Sequence, residues 1–312
     1  MALISIILPA YNEEQSVSLA LRRLRGVLGG IDGFTYELVF VDDGSRDGTW
    51  QAIRDAGLED ARVRGVSFSR NFGKEAAILA GLDAARGDCC VVMDCDMQHP
   101  PEIIPEMLKL WRQGYQVVEG KKAHRGRENP FYKCFTKLFY ALMSAATHID
   151  MANTSDFKLL DREVVKTLLE MPERHMFFRA ISAWVGYRTV SVPFYVEPRQ
   201  AGTGKFRAKG LIRYALGNLA SFSTAPMQLI TFLGIITFII ALAFGINTLY
   251  NYLSGNALGG FTTVILLMLF FFSIVMISLG IIGYYIARIF EAVKGRPRYI
   301  VNKTSNLTEE AR

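Results

Sequence analysis

Short, nearly continuous apolar runs alternate with amphipathic stretches through the first hundred residues. Ile4–Leu8, Glu37–Val41, Val63–Phe68 and Cys90–Met93 are β-rich and almost wholly apolar, the pattern of strands buried on both faces of a parallel sheet. The stretches between them predict helices over Glu14–Leu28, Thr49–Ala56 and Lys74–Ala85. Each is entered through turn chemistry such as Tyr11-Asn12-Glu13 or Asp43-Gly44-Ser45. Alternation of this length predicts an α/β fold, an open sheet whose ligands sit in the crevice at the carboxyl ends of its strands. Chemistry is therefore expected on the loops that follow the strands.

The pattern changes near residue 214. No Lys, Arg, Asp or Glu occurs from Tyr214 to Ala287. Met227–Leu253 and Phe261–Ala287 are each longer than the roughly 20 residues a helix needs to cross about 30 Å of hydrocarbon. The short uncharged connector Ser254–Gly260 makes them a helical hairpin, with Pro226 suited to the first turn. Leu211–Phe222 reads as an interfacial lead-in helix, although its apolar side would equally pack on the globular part. Asn302–Arg312 reads as a loose tail. The expected divisions are a catalytic domain over 1–210, an interfacial helix over 211–225, two membrane spans within 226–288 and a tail over 289–312.

Charge supports that division. The net charge of +6 resolves into −2 over residues 1–198, +5 over 199–213 and +3 over 288–312. A nucleic-acid binder spreads basic groups over a body or a helix face; clusters at the edges of an apolar block favour anionic headgroups and keep both flanks on the cytoplasmic side. The expectation is a multi-pass protein of the inner membrane, both termini cytoplasmic, with no nucleic-acid partner. At 51% hydrophobic and 21% charged residues, disorder is excluded. Cys89, Cys90, Cys95 and Cys134 suit buried small hydrophobes in a reducing compartment, since neither a disulfide framework nor a zinc spacing is present. His99, His124, His148 and His175 form no triad or zinc spacing. Gly280 and Gly283 permit close helix contacts, as in a homo-oligomer.

Candidate chemistry gathers at the predicted strand ends. Asp94-Cys95-Asp96 follows the fourth strand, and two hard oxygen donors on one loop suit a Mg²⁺ or Mn²⁺ that also binds a diphosphate. Pro9-Ala10-Tyr11-Asn12-Glu13 and Asp42-Asp43-Gly44-Ser45 end strands one and two, so three neighbouring loops aim carboxylates at one rim. Asn12 and Ser45 are expected as local helix caps. Arg199-Gln-Ala-Gly-Thr-Gly-Lys205-Phe206 offers cations around a turn whose N–H groups can approach an anion. It is no Walker loop, because Arg and Phe stand where Gly and Ser or Thr are required. A second basic loop holds Lys121, Lys122, Arg125 and Arg127, of which Arg125 and Arg127 are the favoured phosphate contacts. Arg70 and Lys74 follow the third strand and read as ion pairs or ligand contacts.

These pieces, with Ser69-Arg-Asn-Phe-Gly-Lys74, Asp156-Phe-Lys-Leu-Leu160 and Glu173-Arg174, resemble glycosyltransferase family 2 with its nucleotide-sugar-binding GT-A fold. The narrower resemblance is to polyprenyl-phosphate glycosyltransferases, which include dolichol-phosphate mannose synthase and bacterial bactoprenol glucosyltransferases. It implies that Pro9, Tyr11 and Glu13 line the nucleoside pocket, that Asp42 accepts from the nucleoside, and that Asp94 and Asp96 frame the metal, Asp96 as the favoured direct ligand. Gln98 would reach the acceptor or a metal-bound water, with a plain polar loop residue the equal alternative. Asp156 stands where the family places its base, and a positioning role suits it as well, because a lipid phosphate with a second pKa of about 6 is already mostly anionic. Arg199 and Lys205 would hold phosphates; the loop more often carries Ser and Tyr in the family where Gly204 and Phe206 stand here, which leaves no hydroxyl contact.

The implied reaction is inverting transfer of a hexose, glucose from UDP-glucose foremost, to undecaprenyl phosphate, giving a lipid-linked sugar for cell-envelope glycans. A different nucleotide-sugar, a processive synthase, or a silent membrane scaffold that binds nucleotide-sugar remain the alternatives.

Overall fold

The computed structural model describes residues 1–122, 155–173, 177–195, 225–255 and 260–307, which divide into two compact units. The first unit runs from Met1 to Leu211 and resumes at Arg296. It is a mixed sheet of eight strands: β1 (Ala2–Ala10), β2 (Phe34–Asp42), β3 (Val63–Phe68), β4 (Cys89–Val92), β5 (Val117–Lys122), β6 (Lys158–Asp161), β7 (Thr189–Phe194) and β8 (Val301–Ser305), in the order β7-β5-β6-β4-β1-β2-β3-β8. The four predicted strands occupy its centre and pair in parallel, β4 to β1, β1 to β2 and β2 to β3. Ile6, Ile7 and Leu8 of β1 and Val39, Phe40 and Val41 of β2 are fully buried, as expected of strands covered on both faces. Each such side chain contributes roughly 1.5–3 kcal/mol by leaving water.

Crossover helices α1 (Glu14–Leu28), α2 (Thr49–Glu59) and α3 (Lys74–Ala84) are those the apolar periodicity predicts. In α3, residues Ala76–Leu82 are buried on every side. Further helices are α4 (Ile104–Arg112), α5 (Arg162–Glu170) and α6 (Phe178–Trp184). Cys89, Cys90 and Cys95 are buried thiols, and burial pushes Cys90 up to about 12, so they serve as packing.

Beyond the four parallel strands the sheet is mixed, because β6 runs antiparallel to both β4 and β5. One expectation needs correction: the tail after Asn302 is not loose, because β8 pairs antiparallel with β3 and closes that edge of the sheet. Tyr299 stacks on Phe68 with ring centroids 5.0 Å apart and donates to Asp83 Oδ2, while Asn306 Nδ2 donates to the Gly57 and Val63 carbonyls. A short polar strand carries little hydrophobic signal; its partner, the exposed edge of β3, creates the demand for it.

The second unit is the apolar stretch. Helices α7 (Ala225–Leu253) and α8 (Phe261–Val293) are long and apolar enough to cross a membrane, by length and composition, over Ile230–Asn251 and Phe270–Val293. Their large side chains stand exposed, Phe238 at 67% and Ile277 at 61%. Helix α8 continues past Ala287 through Arg288 and Glu291 before ending at Val293. The expected interfacial helix over Leu211–Phe222 lies outside the described residues.

Replacing Tyr299 by Ala removes a half-buried ring that seats the returning strand. It is expected to destabilise the first unit by about 2 kcal/mol and to speed amide exchange in β3, measured by denaturant titration and hydrogen exchange of the detergent-solubilised protein; unchanged exchange in β3 would contradict the seating role.

Candidate active site

The carboxyl ends of β4, β1, β2 and β3 share one rim, and the loops leaving them are tied together by side chains. The Asn12 N–H donates to Ser45 Oγ at 2.8 Å, and Asn12 Oδ1 accepts from the Arg46 N–H at 2.9 Å. Asn12 and Ser45 thus cap each other's loops instead of helix ends, which corrects the expected local role. Asn12 adopts φ 52, a left-handed backbone that Asn tolerates. Loop two leans on loop three: Asp43 accepts from the Phe72 and Gly73 N–H groups and from Asn71 Nδ2. Burial pushes Asp43 up to about 6 even against those donors. Gly44 has φ +65, and a Cβ there would lie 2.4 Å from the Arg70 carbonyl carbon, so only Gly fits.

Asp42 is 2% exposed, its oxygens accepting from the Ser45 N–H and from Ser67 Oγ. Pro9, Tyr11 and Glu13 are half-buried on the rim; Glu13 Oε2 accepts from Ser16 Oγ and its N–H donates to Thr49 Oγ1.

The loop after β4 is held from within. Between Asp96 and Gln98, buried Met97 takes φ 57, a left-handed geometry that costs about 1–2 kcal/mol in a non-glycine residue. The Gln98 N–H donates to Asp96 Oδ1 at 3.1 Å. The Asp94 N–H donates to Nδ1 of buried His99, whose ring stacks on Phe157 and meets Phe194 edge-on. Burial holds His99 below its ordinary pKa in spite of the Asp94 charge, so the ring is neutral and carries its proton on Nε2.

Asp156 joins this loop through the sheet register. Because β6 is antiparallel to β4, with Val92 opposite Lys158, the residues just before β6 meet those just after β4. Lys74 Nζ bridges them, 2.6 Å from Asp94 Oδ1 and 2.5 Å from Asp156 Oδ2. Arg179, from α6, grips Asp156 with Nε at 2.7 Å and Nη2 at 2.9 Å. Burial works against the Asp156 charge, but Lys74 and then Arg179 outweigh it and hold the carboxyl well below the usual carboxylate range. Asp94 is likewise held down, Lys74 outweighing burial. Glu75 Oε2 accepts from the Phe178 N–H, and burial followed by the Asp156 charge pushes Glu75 up to about 7. Beneath, fully buried Lys158 donates to Ser182 Oγ at 2.8 Å and lies 3.0 Å from Glu119 Oε1, paired by charge without hydrogen-bond alignment.

The structure therefore brings Asp94, Asp96, Gln98 and Asp156 together, with Asp42, Pro9, Tyr11 and Glu13 farther along the same rim. Arg125, Arg127, Arg199 and Lys205 lie outside the described residues, as does Cys134. Sequence reasoning missed Arg179, His99 and Glu75. Glu75 and His99 adjoin residues that were singled out, whereas nothing in the spacing around Arg179 marks it. A cavity of about 330 Å³ lined by Ile31, Phe34, Leu108 and Arg112 lies at the amino end of β2; it is away from the rim and holds none of these groups.

Asp94 and Asp96 supply hard oxygens on a braced loop. No group of three His, Cys, Asp or Glu placed to hold a metal occurs among the described residues. Mg²⁺ bound by one or two carboxylates and by substrate phosphates needs no more, so the donor set fits such an ion.

The Glycosyl transferase family 2 model matches residues 5–169. An uncharacterized glycosyltransferase, YkcC, of Bacillus subtilis is 37% identical, covering 96% of this chain and 93% of its own. Uncharacterized glycosyltransferase sll0501 of Synechocystis is 38% identical over 96% of this chain and 94% of its own. A prophage bactoprenol glucosyl transferase homolog of Escherichia coli is 34% identical over 96% and 98%. With the family model spanning more than half its length and relatives matching nearly all of it, this chain is a member of glycosyl transferase family 2.

Proposed function

We propose that the chain transfers a hexosyl group, glucose from UDP-glucose, to a polyprenyl phosphate at the cytoplasmic face of the membrane, with inversion at the anomeric carbon. The observation that carries this reading is the state of Asp156. A carboxylate clamped by Arg179 and Lys74 is a weak proton acceptor, ill-suited to activating a sugar hydroxyl. It suits an acceptor that is already ionised and needs placing and charge compensation, not deprotonation. The names of the relatives, glucosyl transfer to bactoprenol, support the sugar and the lipid class. Helices α7 and α8 would hold the chain to the membrane that carries such a lipid.

In this reading a non-bridging oxygen of the acceptor phosphate attacks the anomeric carbon. The bond from that carbon to the UDP oxygen breaks, and UDP leaves with the electron pair. Pro9, Tyr11, Glu13 and Asp42 border the nucleoside. Asp94 and Asp96 would hold a divalent cation, whose chemistry when bound is to neutralise the departing diphosphate. Asp156 orients the acceptor, Gln98 contributes an amide near it, and Arg125, Arg127, Arg199 and Lys205 contact phosphates. Catalysis then rests on holding two anions in line and compensating their charge.

Asp96→Asn is expected to lower transfer of labelled glucose into a lipid extract on the order of 10²–10³-fold at any Mg²⁺ or Mn²⁺ concentration, with the thermal melt unchanged; near-normal transfer would remove the metal role. The pH profile tests the acceptor. Asp156, depressed and ionised throughout, adds no limb above about pH 4, so kcat/KM should rise through about pH 6 as the acceptor phosphate loses its second proton. Glu75→Gln should retain that limb; its disappearance would assign the titration to Glu75.

A further inference from the structure

Lys74 is one ammonium shared by two carboxylates whose surroundings differ. Asp156 has a second cation in Arg179, held by two hydrogen bonds. Among the described residues Lys74 is the one basic side chain in ion-pair contact with Asp94. Exposure separates the two ends as well. The Asp156 side chain is 6% exposed, whereas Lys74 retains 39% and Asp94 30% of their surface. A carboxylate so enclosed is fixed in place, while a half-open lysine on a flexible four-carbon stem can turn.

Charge sharpens the contrast. Among the described residues one ammonium is divided between Asp94 and Asp156, which leaves Asp94 able to take a further cation at its open end. A divalent ion on Asp94 and an ammonium on the same carboxylate are like charges a few ångström apart, and they repel strongly where water is scarce. One of them has to yield, and Lys74 has another carboxylate to keep.

We infer that Lys74 is a displaceable internal counter-ion, which neutralises and positions Asp94 until a divalent cation takes that carboxylate, then stays on Asp156 and turns its remaining N–H bonds to the incoming anionic substrate. This deepens the metal-dependent transfer proposed above and rests on it. Lys74 is thereby a positioning residue that couples metal binding to the place of the acceptor: the charge it takes from Asp94 becomes available beside Asp156. A plain structural pair, in contrast, would keep its ammonium in place when the metal binds.

The test is Mn²⁺ binding to the full-length protein in detergent, read from the electron paramagnetic resonance of the free ion with no sugar donor present. Lys74→Met is expected to bind Mn²⁺ at least about tenfold more tightly than wild type while transfer to lipid falls, and Lys74→Arg, which keeps the charge, to bind as wild type does. Equal or weaker binding by a folded Lys74→Met protein overturns the inference. Absence of Mn²⁺ binding in wild type, with UDP added as well, overturns instead the metal-dependent reading beneath it. Should Lys74→Met fail to fold, the wild type decides. After reductive ¹³C-methylation of its lysines, the Lys74 resonance, assigned with Lys74→Arg, should shift on addition of Mg²⁺ alone; a resonance unmoved at saturating Mg²⁺ overturns the inference.

Discussion

Asp156 keeps its charge in a place nearly closed to water because Arg179 grips it with two hydrogen bonds and Lys74 shares an ammonium with it. Burying an unpaired carboxylate is costly enough that it would take up a proton instead. Everything else on this side of the rim follows from meeting that demand. Helix α6 must start where Arg179 can reach, and it is set there from two sides. Glu75 accepts from the Phe178 N–H, and Lys158 donates to Ser182 Oγ and approaches the Arg179 carbonyl. Lys74 must open α3 close to the β4 loop, so the carboxylate that answers Asp156 across the ammonium is Asp94. A charge arrangement with this many fixed partners is preorganised, and preorganised charge carries most of the weight when a reaction moves anions past one another.

The rest of the rim is rigid for a different reason. Its loops are too short to pack on a core of their own, so they borrow polar contacts from each other. Asn12 donates its N–H to Ser45 Oγ and accepts from the Arg46 N–H, Asp43 collects donors from the Asn71–Gly73 turn, and Gly44 lets the two backbones touch. The strained Met97 is tolerated because His99, stacked on Phe157, fixes the far side of the same loop. Left-handed backbone at a non-glycine residue persists where its surroundings over-determine it, and such places cluster at functional sites. Here the strain aims Asp94 and Asp96 from one short loop.

Much of this was legible before any coordinates. The parallel centre of the sheet announced itself through strands apolar on both faces, and the Asp-x-Asp loop through its place at a strand end. What periodicity alone could not reach was whatever depends on antiparallel pairing, and Asp156 was placed at the site by the family resemblance. Asp156 lies 62 residues after Asp94, and only the Val92–Lys158 register makes them neighbours. Arg179 is further removed, on a seven-residue helix with no motif, and its function is set wholly by tertiary placement. Strand β8 escaped because its sequence, Val-Asn-Lys-Thr-Ser, is polar on an exposed edge, where strands are short and charged in order to discourage further pairing.

That edge strand bears on how the apolar helices relate to catalysis. The chain leaves the first unit ahead of α7 and rejoins it after α8, as β8 of the same sheet that begins with β1. A folded sheet cannot have strands on both sides of a bilayer. If these helices cross a membrane, they must therefore do so in an even number, with both flanks on the side where the sheet stands, whatever the loop charges would prefer. The same conclusion follows independently from the basic surplus over 199–213 and 288–312. Sheet pairing and lipid electrostatics are unrelated forces, and both ask that the two flanks of the apolar stretch share one side.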